Sequence, residues 1–192
     1  MRVVRGDVPL KETRDLVLLS LLVALSIVLR GLEGIIPNPF PWVRIGLANI
    51  MTVLALLLFG FKAGVLLTIL RVLVASLLFG TFLSPTFLMS FSAGLCSTLV
   101  MGGMFAVFKQ TFSPIGVSVA GGFTHNLIQL CMAYFLIVRH GEIFYLLPVL
   151  ALIGLVTGLF NGWVAVLLYQ HIIGQMEHLF PHLPRNHDKK LA

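Results

Sequence analysis

The sequence predicts an all-α fold, a polytopic membrane protein with six transmembrane helices. Hydrophobic residues make up 58% of the 192 residues and charged residues only 10%, whereas soluble domains carry about 25% charged residues. The mean hydropathy is +1.03. The apolar residues gather in six long runs, which are separated by short polar breaks or by breaks containing proline and glycine. No soluble fold buries an apolar fraction this large, so we expect the runs to cross a bilayer.

Each run is close to the roughly 20 residues with which a helix crosses a membrane. The first run follows a basic segment. Because no small-residue cleavage site follows it before Arg30, a membrane helix is favoured over a cleavable signal peptide. The first two runs are short, whereas the fifth and sixth are long enough to tilt or to extend past the membrane. The predicted spans cover residues 15–29, 44–59, 62–79, 87–108, 115–138 and 143–170.

The distribution of positive charge predicts the orientation. With the N-terminus in the cytoplasm, nine Lys and Arg residues lie inside and three lie outside, which is the asymmetry that the positive-inside rule describes. The basic residues behind the net charge of +6 lie mostly at the ends of the runs. We therefore interpret them as a signal of membrane orientation and expect no nucleic-acid partner. We therefore expect a basic cytoplasmic N-terminus (1–14), a six-helix transmembrane domain (15–170) and a cytoplasmic, partly disordered tail with histidines and basic residues (171–192).

Arg71 lies in the middle of the third run, among aliphatic residues, Phe, Ser and Gly. A charge at membrane depth costs about 2.5 to 3.5 kcal/mol on insertion scales, so it normally faces the protein interior or a ligand. At about 1.5 Å per residue, Arg71 lies about 13 Å from the start of its span and His125 about 15 Å from the start of the fifth. Both are therefore expected at the same depth.

Further polar residues accompany these two. Asn126 and Gln129 lie on or beside the same face of the fifth helix as His125. Asn49 is expected about 7 Å below the outer surface, with Arg44 at that surface. The alternative is that Asn126 and Gln129 only bond other helices and that Arg71 pairs with backbone carbonyls. Our hypothesis is that these residues form a substrate site, a cavity that opens to the outside. Its lining would be Arg44, Asn49, Arg71, His125, Asn126 and Gln129.

Two outer connections are candidates for gating. Residues 31–41 contain three prolines, a stiff loop that leads to Trp42 beside Arg44. The short turn at 80–85 contains Ser84 and precedes Thr86. The proline-rich connection is stiff enough to cap a cavity and the short turn offers hydroxyl donors, but Trp42 is equally explained as an anchor at the membrane interface.

Small residues indicate where helices pack closely. Gly154, Gly158 and Gly162 recur every four residues in the sixth span, a spacing that lets two helix backbones approach. We expect this row to pack inside the protein. Ser20 and Ala24 have the same spacing in the first span, and they suit internal packing or a partner helix equally well.

Enzyme chemistry is not expected. The seven acidic residues include no two close together, as a magnesium-binding pair would require. The chain also has no phosphate-binding loop of the GxxxxGK[ST] type, so it does not hydrolyse ATP by itself. Cys96 and Cys131 lie inside predicted spans, where thiols behave as small apolar groups. We expect no disulfide, no cofactor and no metal, and we interpret the histidines of the tail as solvated.

Three strings carry a resemblance to a known family. They are RIGLANIMTVLALLLFG at 44–60, LRVLVASLLFGTFLSPTFLMSFSAG at 70–94 and IGVSVAGGFTHNLIQL at 115–130. They resemble the Gx transporter family, often labelled heptaprenyl diphosphate synthase component I, over roughly residues 13–170. That family is similar to the substrate-binding S components of energy-coupling factor (ECF) transporters, multi-pass proteins of the prokaryotic cell membrane.

The resemblance implies a partner module of two cytoplasmic ATPases and a membrane T component. It implies docking against small residues of the first helix, where Ser20 and Ala24 match loosely, and loops that close over the substrate. The expected substrate is amphipathic with an anionic head, either an isoprenoid or quinone-precursor-like molecule or a vitamin-like carboxylate. The alternatives are a non-catalytic membrane subunit associated with a prenyl diphosphate synthase, in menaquinone side-chain synthesis, and a membrane component of quinone-linked extracellular electron transfer.

Overall fold

A computed structural model describes residues 13–34, 46–108 and 112–179, without the side chains of residue 108 and of residues 176–179. This part of the chain contains helices and no strand, so the predicted all-α class is confirmed. A π-helical turn at Tyr134–Val138 and a 3-10 turn at Gly141–Leu146 join the last two helices. The helices are α1 (Thr13–Glu33), α2 (Asn49–Phe59), α3 (Phe61–Leu78), α4 (Pro85–Phe108), α5 (Pro114–Ala133) and α6 (Leu147–Leu179).

Five of the six described helices are long and apolar enough to cross a membrane, so the protein is a multi-pass membrane protein. The exception is α2, which has 11 residues and is therefore only about 16 Å long, roughly half of a hydrocarbon core of about 30 Å. Within the described residues the second helix begins at Asn49, five residues later than the predicted start of its span. At the other end of the domain, α6 continues to Leu179.

Helix α2 forms the centre of the bundle. All residues of Asn49–Phe59 are buried, and α2 contacts each of the other five helices. A helix that is apolar on every side is stable only when protein or lipid covers every side, and here protein covers it. Gly60, with φ of +91°, turns the chain from α2 into α3 without a longer loop. The short central helix therefore holds the polar residues at its first turn inside the protein.

The glycine row of α6 packs against α5. A Cβ atom added at Gly154 would lie 2.8 Å from the carbonyl oxygen of Gly122, and one at Gly158 would lie 2.6 Å from the Cα atom of Val119. One at Gly162 would lie 2.8 Å from the Cα atom of Ile115. The two backbones approach too closely for any side chain, and α5 covers the row.

Ser20 and Ala24 lie on a different kind of surface. Both are exposed on α1, and the Ser20 hydroxyl donates to the carbonyl oxygen of Leu16 in its own helix at 2.8 Å. The neighbouring Val17 and Leu21 are each 61% exposed. This face of α1 is not covered by the other described helices.

Candidate functional site

The bundle contains a cavity of about 480 Å³, a volume that includes space open to solvent. The cavity lies toward the end of the bundle at which α1 and α3 end and α2 and α4 begin, and the middle of α5 closes one side. Its apolar wall includes Val72, Ala75 and Phe87. Its polar wall includes Arg30, Glu33, Asn49, Arg71, Ser90 and His125.

Arg71 projects from α3 into this cavity and is only 5% exposed. Its Nη1 and Nη2 atoms each donate to the side-chain oxygen of Asn49 at 3.3 Å. Both distances are long for N–H···O bonds, and both bonds reach the same neutral oxygen. Asn49 therefore orients the guanidinium without neutralising its charge.

Arg30 and Glu33, at the end of α1, form the part of the site that the sequence analysis missed. Arg30 Nη2 lies 3.5 Å from the Ser90 hydroxyl on α4. The Glu33 carboxylate accepts the backbone N–H of Leu47, faces the backbone N–H of Ala48, and is attracted electrostatically by Arg30 and Arg71. The sequence contains one signal for the pair, since residues three apart share a helix face, but Arg30 was counted among the outer charges and Glu33 fell within the connection predicted at 31–41.

Glu33 also stabilises the start of α2. The residue at the N-cap of α2, Ala48, has no side chain that can accept a hydrogen bond. The carboxylate from α1 therefore replaces the missing cap and satisfies backbone N–H groups that would otherwise lack partners. From the other side, the Asn161 amide nitrogen on α6 donates to the carbonyl oxygen of Gly46 at 3.0 Å. The turn before α2 is thus held by two other helices.

His125 lies on the α5 side of the cavity and is 7% exposed. The amide nitrogen of Gln129 lies 3.2 Å from its Nε2 atom. The amide nitrogen donates, so the imidazole accepts at Nε2 and carries its hydrogen on Nδ1. That Nδ1 atom is buried and makes no hydrogen bond in the described part of the chain, although the backbone of Ala93 lies near the ring. The buried Nδ1–H group thus has no well-formed hydrogen bond in the described residues, and the backbone of Ala93 is its nearest partner.

The structure separates the six candidate substrate residues into groups. Asn49, Arg71 and His125 line one cavity. Gln129 does not line it but orients His125. Asn126 donates to the carbonyl oxygen of Leu150 at 2.9 Å and so joins α5 to α6. This is the alternative role considered from the sequence, in which Asn126 only bonds another helix. Arg44 lies outside the described residues.

The gating candidates are only partly described. Trp42 lies outside the described residues. The Ser84 hydroxyl accepts the backbone N–H of Phe87 at 3.2 Å and donates to the carbonyl oxygen of Thr81 at 2.6 Å, so Ser84 caps α4. The Thr86 carbonyl oxygen accepts from the Ser90 hydroxyl at 2.7 Å. These contacts hold the turn beside the cavity, and its role as a gate stays a prediction.

Comparison with known proteins agrees with this architecture. The family model described as heptaprenyl diphosphate synthase component I matches residues 22–168. The chain belongs to the heptaprenyl diphosphate synthase component I family. The predicted family is therefore confirmed, and the match includes every described residue of the polar wall. Among curated proteins, no sequence matches the chain.

A solved structure has the same fold as this family member. It is the S component of a bacterial ECF transporter, which superposes with a TM-score of 0.64 over 84% of this chain and 96% of that chain. The sequence identity is 20%, so the likeness shows the fold. The predicted S-component-like helical bundle is confirmed.

The described side chains of this family member do not form a cluster of metal-ligating groups. No three His, Cys, Asp or Glu side chains lie together in the described residues. Cys96 and Cys131 are both free thiols. The arrangement of the cavity suits ligand binding through guanidinium and imidazole donors, and the family name alone carries the connection to prenyl diphosphate synthesis.

Proposed function

We propose that the protein is the membrane substrate-binding S component of an ECF-type importer. The observation that carries the proposal is the cavity around Arg71, enclosed within a bundle that has the S-component fold. Among the described residues, Arg71 donates its hydrogen bonds to a neutral amide, and Glu33 is the single carboxylate in a wall that contains both Arg71 and Arg30. The second guanidinium charge at membrane depth needs a further partner, and a solute supplies it. The protein binds its substrate and catalyses no reaction.

The charge asymmetry of the sequence supports an orientation in a prokaryotic cell membrane. With both termini cytoplasmic, α1 and α3 end at the outer side, where α2 and α4 begin. The cavity then opens to the outside. The turn that contains Ser84 lies on the entry side.

The chemistry of the cavity supports an amphipathic anion as substrate. Guanidinium groups recognise carboxylates and phosphates through charge-assisted hydrogen bonds, while Val72, Ala75 and Phe87 offer an apolar wall. Isoprenoid-like acids or phosphates, quinone precursors and vitamin-like carboxylates all combine these two properties. A neutral, fully polar solute does not.

Energy for import comes from partners in this proposal, a T component and two ATPases. The chain has no GxxxxGK[ST] loop for ATP. The exposed face of α1 around Ser20 and Ala24 supports a docking site for the T component, because small residues let a second helix approach closely in lipid.

One competing function follows from the family description, which names a component of heptaprenyl diphosphate synthase. In that case the protein is a non-catalytic membrane subunit that assists the synthase. A role in quinone-linked electron export is a third candidate, with no supporting contact in the described residues. The buried arginine favours the transporter, because assisting a soluble enzyme gives no reason for a charged cavity at membrane depth.

Co-purification separates these functions. The tagged chain is expressed with the T component and both ATPases of its own organism, and separately with the prenyl synthase, then purified in detergent. We expect a stoichiometric complex with the module. Absence of the module, together with recovery of the synthase subunit, would contradict the proposal and favour the accessory role.

A further inference from the structure

We infer that the cavity selects a head group with a single negative charge and only hydrogen-bond acceptors, a carboxylate in preference to a phosphate monoester. This inference rests on the proposed substrate-binding function and decides between substrate classes that the sequence leaves open. Glu33 is the residue that determines the choice, because it compensates one of the two arginines in the wall.

The charges of the described wall leave one cation without a counter-charge. Arg30 and Arg71 contribute two positive charges, since arginine remains protonated in proteins, and Glu33 contributes the single carboxylate. The carboxylate accepts the backbone N–H of Leu47 and shares the cavity wall with both arginines, contacts that favour its ionised form, whereas burial opposes ionisation. With Glu33 ionised, the described wall has a net charge of +1.

We assign Arg71 as the cation left over, because Glu33 lies three residues after Arg30 on the same helix, a spacing at which opposite charges are neighbours. Arg71 donates instead to the uncharged Asn49 oxygen. A buried charge is costly unless it is paired, so a ligand that carries one negative charge completes the site.

The hydrogen-bonding groups of the wall select acceptors. Arg30 and Arg71 have only donors, and the Nδ1–H group of His125 is a buried donor without a well-formed hydrogen bond in the described residues. The Ser90 hydroxyl already donates to the carbonyl oxygen of Thr86, and the Ser76 hydroxyl donates to that of Leu73. An ionised carboxylate offers acceptors and no donor, which matches this wall.

A phosphate monoester fits less well. It carries about −1.5 to −2 charges near pH 7, and its second charge would be buried with no further cation in the described wall. Removing a charge from water without a partner is strongly unfavourable. The single charge of a carboxylate ligand is compensated by Arg71 alone. Val72 and Phe87 are available to contact the apolar part of that ligand.

The test uses three probes with the same ten-carbon tail: geranic acid, geranyl monophosphate and geraniol. Binding to the purified full-length protein is measured by calorimetry in detergent at about pH 8, above the second phosphate pKa of about 6. We expect geranic acid to bind at least tenfold more tightly than either other probe. Tighter binding of the phosphate would overturn the inference.

Variants of the charged wall provide the control. In Glu33→Gln the amide oxygen still accepts the N–H of Leu47, but the wall gains one positive charge, so the carboxylate-to-phosphate preference should fall at least tenfold. Arg30→Gln should instead weaken binding of both anions. Arg139→Gln, an exposed position outside the cavity, should change neither. A preference that is unchanged in Glu33→Gln contradicts the role of Glu33.

The outcome is separable from the co-purification test. If no probe binds while the complex with the ECF module forms, the head-group assignment fails and the importer role stands. If geranic acid binds selectively but the module does not co-purify, the head-group assignment stands and the importer role fails.

Discussion

Arg71 on α3 donates through both terminal nitrogens to one oxygen of Asn49, the first residue of α2, at 3.3 Å in each case. This contact connects the most buried charge of the described chain to the short central helix. The first turn of α2 faces the cavity, which Ala48 and Asn49 line. The proposed substrate therefore meets a guanidinium that its neighbour holds in place but does not neutralise.

Loss of the Arg71 charge should remove substrate binding. In Arg71→Gln we expect affinity for the anionic ligand to fall about 100-fold, because a desolvated charge pair is worth about 2 to 5 kcal/mol. Calorimetry in detergent measures the change, and uptake in cells that contain the module should be lost as well. Arg139→Gln serves as the control that removes an equal charge from an exposed position. Prenyl synthase activity that falls with Arg71→Gln would instead support the accessory role.

The Nδ1–H group of His125 should be replaceable by an amide at the same place. In His125→Asn the amide nitrogen lies near the position of Nδ1, so we expect less than a fivefold loss of affinity. In His125→Leu the donor is absent, and a loss of about tenfold is expected from a missing hydrogen bond. Equal affinities of the two variants would contradict a donor role for the imidazole.

The contact between α5 and α6 should not tolerate a side chain on the glycine row. A Cβ atom at Gly158 would lie 2.6 Å from the Cα atom of Val119, so Gly158→Ala forces two backbones apart. We expect a destabilisation of about 1 to 3 kcal/mol, observed as a lower Tm in detergent. Gly103→Ala in α4 is the matched control, because its Cβ meets no atom within 4 Å and alanine favours helix. Its Tm should be unchanged or higher.

Docking of the T component should depend on the small residues of α1. Ala24→Trp places a large side chain on the exposed face beside Ser20, and we expect the yield of co-purified module to fall at least tenfold. Ala106→Trp makes the same change at an exposed position of α4 and should leave the yield unchanged. Ligand affinity should be normal in both variants, which separates docking from folding. Loss of the module in both would contradict a specific α1 surface.

The sequence predicted the parts of the molecule that depend on local pattern. Hydropathy indicated six helices, and the cost of a buried charge pointed to Arg71, whose neighbours Asn49 and His125 the structure brings into the same cavity. The length of α2 was not predictable in this way, because a run of apolar residues does not show whether lipid or protein surrounds it. Here protein encloses α2 on every side.

Arg30 and Glu33 could not be assigned to the site from local pattern either. Both lie at the end of α1, where charges ordinarily face water, and only the tertiary fold turns them toward Arg71. Asn126 illustrates the opposite case. Its position beside the His125 face of α5 suggested that it lines the cavity. In the structure it instead donates to the carbonyl oxygen of Leu150 on α6.

The central claim, that the Arg71 cavity binds a solute, is tested most directly by native mass spectrometry of the protein purified from its own organism. We predict a bound small organic anion on the wild-type chain, absent from Arg71→Gln and retained by Arg139→Gln. Equal occupancy of the wild type and Arg71→Gln by the same molecule would contradict the account.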